Sequence, residues 1–262
     1  MRKIIASILM MAFLASQTMP VLAMKNAAGA AEDYFAAVQR RISANQRYRA
    51  DLDVYNANKT PENEQKAVVS GKAMLNSWLD EAQAWLIWKN LQAKENPDVP
   101  SDLKNAIQND VNTNLEKINH LRNDVASVKT LNQGVAVFLM MVQKYIELLV
   151  DVARNTGAVW VVAGNKILDT ADSYEAKLRI AAQAKNNSAA IALLNSAKSS
   201  LQTARTNVQT AANYYKKTVI GGNPLINFSQ GNVYINQARV DLLTAESQMA
   251  QAFSLIVSSQ QQ

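Results

Sequence analysis

With one histidine and no cysteine among 262 residues, few side chains in this chain could do chemistry. His120 has Glu116 one helical turn before it. A helical di-metal carboxylate centre needs several carboxylates and paired Glu-x-x-His motifs on facing helices, and the chain has no second histidine. His120 is therefore expected to face solvent. Zinc, haem and thiol chemistry all draw on His or Cys ligands that are missing here. Glu32-Asp33 and Asp80-Glu81 are adjacent acids. Neighbours on a helix point in different directions, so neither pair can work as a cooperating acid and base. No phosphate-binding glycine loop, nucleophile elbow or metalloprotease motif occurs. The expectation is a protein without catalytic residues, metal or cofactor, and not an enzyme.

The apolar and aromatic residues remain. Trp78 and Trp85 lie seven apart with Trp88 close by, a spacing that suits a core anchor, a partner hot spot or a membrane-interface belt. Between Gly134 and Gly164 the chain carries an apolar run from Val135 to Val142, a mixed stretch from Tyr145 to Arg154, and Ala158-Val159-Trp160-Val161-Val162-Ala163. That exceeds what one helix face requires. The segment is either the buried centre of a bundle or a hairpin that leaves it for a membrane. Val135, Val137, Phe138, Met141, Val159, Trp160 and Val161, with Trp78, Trp85 and Trp88, are the expected membrane or partner contacts.

These residues must be positioned by helices. Prolines and glycines are few, and beyond the first 23 residues each proline sits at an expected helix edge. Helices are predicted over about 26–55, 61–96, 101–155, 158–220 and 229–258. Thr60-Pro61-Glu62 supplies an N-cap, a first-turn proline and a first-turn acid. Ser101 with Asp102 is read as the next cap. In 101–155 one heptad row reads Val111, Ile118, Val125, Asn132, Leu139, Ile146, Ala153, and the other runs from Ile107 to Thr156, which implies supercoiled packing. Asn132-Gln133-Gly134 is the expected bend, Asn155-Thr156-Gly157 the expected stop, and Lys185-Asn186-Asn187-Ser188 an expected interruption. Later, Leu194, Leu201, Val208 and Tyr215 alternate with Ala190, Ala197, Ala204 and Ala211. In the last helix Ile235, Leu242, Met249 and Ile256 alternate with Ala238, Ala245 and Ala252. Two such seams across Gly221-Gly222-Asn223-Pro224 predict a close antiparallel hairpin. The fold class is all-α, an elongated bundle of about five long antiparallel helices with coiled-coil-like packing.

A glycine-flanked apolar hairpin between long helices resembles the arrangement in α-helical pore-forming cytolysins, whose soluble form hides an insertion segment inside a bundle. The resemblance covers 134–164 alone and implies insertion of that segment. Lys144, Glu147, Asp151 and Arg154 depart from it, because charges at bilayer depth are costly unless they face a pore. The Leu/Ala alternation is similar to the long coiled helices of outer-membrane efflux channels, but the strands such channels need are missing from the pattern.

Arg2 and Lys3, the apolar run Ile4 to Ala15, Pro20 and Val21-Leu22-Ala23 read as a secretory signal over 1–23, cleaved before Met24. An uncleaved anchor is the alternative, although the run falls short of the roughly 20 residues that span a bilayer. Residues 24–262 are expected to form one elongated bundle, exported to a periplasm or the extracellular space, with a bacterial envelope favoured. The formal charge of +6 is unevenly placed: 176–240 holds eight basic residues and no acid. Protein partners or self-association through long helix faces are expected, with anionic lipid or an envelope polymer as a second partner class. No aromatic-interleaved basic cluster points to nucleic acid. The functional expectation is an interaction or scaffold component, and the alternative is a pore-forming protein inserting 134–164.

Overall fold

Six helices account for nearly all of the described chain: α1 Lys25–Ala57, α2 Pro61–Glu95, α3 Ser101–Ser127, α4 Leu131–Ala184, α5 Ser188–Lys216 and α6 Pro224–Ser258. They come from a computed structural model that describes residues 25–258. The expected signal at 1–23 lies outside the described residues. No strand occurs among the described residues, and the class is all-α.

The helix ends follow from local chemistry. Thr60 takes an extended backbone, and its hydroxyl accepts from the Asn63 N–H at 3.3 Å, with Pro61 opening the first turn. At the start of α3 the expectation needs correcting: Pro100 occupies the cap position without a side-chain hydrogen bond, and Ser101 is already helical. The α4–α5 interruption forms where expected. Asn186 enters the left-handed region at φ 51°, and the N–H groups of Asn186 and Asn187 return to the carbonyls of Gln183 and Ala182 at 3.0 and 2.9 Å. That closes α4 with a Schellman motif. The Asn187 side chain then accepts from Ala190 N–H at 3.0 Å and caps α5.

Other helix boundaries differ from the prediction: α5 ends at Lys216 and α6 starts at Pro224, not at about 220 and 229, and the largest differences involve α3 and α4. The heptad rows run through 101–155, yet the chain breaks at Val128–Thr130. Thr130 and Gln133 form a capping box there: the Thr130 hydroxyl accepts from Gln133 N–H, and the Gln133 amide oxygen accepts from Lys129 N–H at 2.7 Å and from Thr130 N–H at 3.3 Å. The buried seam of α3 is as read, through Ile107, Val111, Ile118, Leu121 and Val125. Restarting the helix changes its phase. Val135, Leu139 and Ile146, predicted inside, are exposed, and Val137, Met141, Leu148, Val152 and Val159 are buried instead. The predicted stop at 155–157 does not occur either, because α4 continues to Ala184. Of the two readings of 134–164, the hairpin is not the form seen, because the segment is a stretch of one helix.

The chain divides into two compact units, Met1–Val152 and Ala153–Gln262. In the first, α2 packs against both α1 and α3. Residues 131–152 of α4 join them, with Lys117 paired to Glu147 at 3.1 Å and the Asn114 amide donating to Asp151 at 3.0 Å. In the second, Leu168, Leu178 and Ala182 of α4 close over α5 and α6.

The α5–α6 pair is antiparallel. Hydrogen bonds join Asn187 to the Leu255 carbonyl, Asn207 to Asp241 and Tyr215 to Asn232. The alanine seams meet as predicted: Ala190, Ala197, Ala204, Ala211, Ala245 and Ala252 all have 0% exposure. Small residues let the two backbones approach, and Leu194, Leu201, Val208, Met249 and Ile256 fill the flanks.

Near one end of this seam sits Tyr215. Its ring lies between Gly157 of α4 and Gly231 of α6, and a Cβ at either glycine would fall far inside van der Waals contact with it. Gly157 thus serves close approach rather than helix termination. Trp160 and Phe228 pack on the same ring at centroid distances of 6.3 and 5.7 Å, and the hydroxyl donates to Asn232 at 2.8 Å.

Urea unfolding of single variants tests this packing. Ala204→Leu should lose roughly 1–3 kcal/mol through overpacking, while Ala192→Leu on the exposed side of α5 should stay within about 0.5 kcal/mol. Gly231→Ala should be destabilising by a similar 1–3 kcal/mol or so, because the buried ring has nowhere to move.

Candidate functional site

The groups that could do chemistry are separated. His120 and Glu116 are both exposed on α3. Asp80 pairs with Arg122 at 2.7 Å, whereas its neighbour Glu81 pairs with Arg41 of α1. The two carboxylates thus serve different helices, as neighbours on a helix must. Among the described residues no group of three or more His, Cys, Asp or Glu is placed to hold a metal. A surface depression of about 440 Å³ is lined by Lys166, Asp169, Thr170, Ser173, Tyr174 and Lys177. All six belong to α4, so no second element faces them across it.

The predicted aromatic contacts divide. Trp85 is buried. The Trp78 indole N–H donates to Asn45 at 3.1 Å, the Arg41 guanidinium lies 4.9 Å from its ring, and Phe138 meets it edge-on at 6.4 Å. Trp88 stacks on Tyr34 at 5.4 Å, with the Lys89 ammonium 4.0 Å from its ring centre. Trp78 thus links α2 to α1 and to the first-unit part of α4, and Trp88 links α2 to α1. Val137, Met141 and Val159 are buried, Phe138, Trp160 and Val161 half-buried, and Val135 exposed. The apolar excess of 134–164 reflects burial on more than one side of α4, where Leu148, Leu149 and Val150 are all buried in succession.

Burial also shapes the ionisable groups. The Tyr145 phenol is raised, first by burial and then by Glu81 and Tyr34, with Arg41 opposing. The Lys89 ammonium is pushed down to about 8 by burial. In the second unit, the basic character read over 176–240 is answered by acids that precede it on α4. Arg179 pairs with the buried Glu175, Lys198 with Asp172 at 2.8 Å, and Arg205 with Asp169 and Asp172 at 2.8 and 2.9 Å. Burial raises Asp172, but hydrogen bonds from Lys198 and Arg205 outweigh it and hold the carboxyl below its ordinary range. These partners are 26 to 36 residues apart for Lys198 and Arg205, so the local sequence does not reveal them.

What α6 leaves in solvent is more distinctive. Beside its buried alanine seam it carries a second apolar row: Ile226, Val233 and Val240 at seven-residue spacing, continued by Leu243, Ala250 and Val257. Ile226 is 60% exposed, Val233 56% and Val240 55%. Sequence reasoning missed this row because the alanine seam already satisfied the expectation of one apolar face. Its seven-residue period was the available signal. Comparison with known proteins finds no family model, no curated protein and no solved structure that matches the chain.

Lys89 gives a pH test. A lysine whose folded-state value lies below its ordinary 10.5 binds its proton less well in the folded than in the unfolded chain, so stability rises with pH across that interval. Lys89→Met should therefore be more stable than the parent below pH 8, and the advantage should fade between about 8 and 10.5. Denaturation midpoints of both proteins across this range measure it, and a constant difference would show that burial of the charge is not its source.

Proposed function

We propose that this chain is a non-enzymatic, exported helical-bundle protein of the cell envelope or extracellular space, and that it works by binding protein partners or further copies of itself through long helix faces. The observation that carries the reading is the outer row of α6. A helix that buries one apolar heptad row and exposes another is built to pack on both sides. A second helix laid along Ile226, Val233, Val240 and Leu243 would cover it, as amphipathic helices do in grooves and coiled coils. The dispersed acids and lone histidine support a binding role over a catalytic one. The signal-like segment 1–23 supports export.

Insertion of 134–164 gains less support. Val137, Met141 and Val159 belong to buried cores, and no described helix is long and apolar enough to cross a membrane.

Replacing Val233→Asn together with Val240→Asn tests the proposal. Both positions are exposed, so folding stability should change by no more than about 0.5 kcal/mol per site. Sedimentation velocity and co-purification from envelope fractions should show that the parent chain associates and that the variant loses the association. Equal association of the two proteins, or a parent chain that remains monomeric and unpartnered, would reject the α6 face as the binding element.

A further inference from the structure

The turn joining α5 to α6 is a firmly built structure with an apolar end. Thr218 is fully buried, with its N–H bonded to the Tyr215 carbonyl at 3.0 Å and its hydroxyl donating to the Tyr214 carbonyl at 3.2 Å. The Asn227 side chain donates to the Lys217 carbonyl at 2.8 Å, and Gly221 at φ +87° carries the chain round. On this anchored frame Val219, Ile220, Leu225 and Ile226 all point into solvent, each between 41% and 60% exposed. Aliphatic side chains at this turn are only partly covered within the second unit.

Behind the apolar end come Lys216 and Lys217. Between Glu175 and Asp241 the sequence has no acid, and three of the other basic residues in this stretch, Arg205, Lys198 and Arg179, are paired with acids of α4 at 169, 172 and 175. The Lys217 ammonium lies 5.8 Å from the ring of Tyr214, which stacks on Tyr234 at 5.6 Å and 14°. The order from the turn inwards is thus aliphatic, then cationic, then phenolic. The first two layers match the order of a bilayer surface, acyl chains and then anionic headgroups.

We propose that the α5–α6 turn is an interfacial anchor that seats Val219, Ile220, Leu225 and Ile226 among the headgroups and upper acyl chains of an anionic lipid surface, with Lys216 and Lys217 contacting lipid phosphate. The anchor rests on the surface rather than spanning it, in the manner of monotopic proteins that combine a small apolar insertion with basic residues. A protein partner is the less suited occupant, because Val219, Ile220 and Leu225 flank the end of a hairpin outside the helical row that Ile226 begins, with two lysines directly behind them. This anchor goes beyond the partner-binding role of the α6 face, shares only Ile226 with it, and is tested at positions that the face does not use.

The test is co-sedimentation of the chain from Met24 onward with vesicles of phosphatidylcholine alone or phosphatidylcholine with phosphatidylglycerol. The parent should partition roughly tenfold more strongly onto the anionic vesicles, and added salt should weaken it. Ile220→Asn with Leu225→Asn should lose on the order of tenfold or more in partitioning without loss of thermal stability. Lys216→Gln with Lys217→Gln should lose about tenfold on anionic vesicles only. Because the chain has no cysteine, Ile220→Cys offers a single site for an environment-sensitive fluorophore, whose emission should shift to the blue on anionic vesicles. Val233→Asn with Val240→Asn should bind vesicles like the parent, which separates this outcome from that of the α6 face. Failure of the parent to bind anionic vesicles overturns the anchor. So does equal binding by the two turn variants. If the turn variants instead abolish a protein complex while vesicle binding is unchanged, the turn is a protein contact and the lipid assignment is wrong.

Discussion

The close approach of α5 and α6 along their alanine seams is the constraint that most of the second unit obeys. With no cysteine in the chain, cohesion has to come from packing, and the seam provides it by letting two backbones meet with little side-chain volume between them. Once Ala190 to Ala211 face Ala238 to Ala252, the rotational phase of both helices is fixed. That phase sends Leu194, Leu201 and Val208 to the flanks and leaves Val233 and Val240 pointing outwards. It also brings Tyr215 against Gly231, where only a residue without a Cβ leaves room for the ring. The turn between the helices inherits its geometry from the same contact, since Thr218 is buried directly beyond Tyr215.

Electrostatics follow from the addition of α4. Asp169, Asp172 and Glu175 occupy successive turns and meet Arg205, Lys198 and Arg179. The more exposed pairs, those of Arg205 and Lys198, contribute little each, about 0–1 kcal/mol, and their larger effect is on the field. They reduce the positive potential around Arg179, Lys198 and Arg205, while Lys216 and Lys217 remain beside the apolar turn. A stretch that reads as evenly basic in sequence is therefore patterned in the fold.

The parts legible in the sequence are those fixed by short-range signals. Thr60-Pro61-Glu62 marks a helix start because cap, proline and acid act within one turn. The alanine seams are legible because one small residue type recurring every seventh position along a helix suits close packing of backbones and little else. The break at Val128–Thr130 was hidden by an apolar period that continues through it by coincidence, although Thr130 and Gln133 carried the capping-box signature. Gly157 was ambiguous for a physical reason: glycine ends helices and also permits close contact, and only the position of Tyr215 decides between them. Among the proposed contacts, Val137, Met141, Val159 and Trp85 are core residues, since a hydrophobic run does not state which neighbour will cover it. The outer row of α6 went unread because one apolar face was enough to account for the helix.

The central claim, that the chain acts by presenting the outer face of α6, is tested most directly by photo-crosslinking in the envelope of the producing cell. A benzophenone amino acid is placed at Asn236, on the outer row between Val233 and Val240, and separately at Gln46 or Asn119, exposed positions elsewhere in the chain. The account predicts one discrete crosslinked species from position 236 and only background from the other two. Background labelling from position 236, or the same adducts from all three positions, would contradict it.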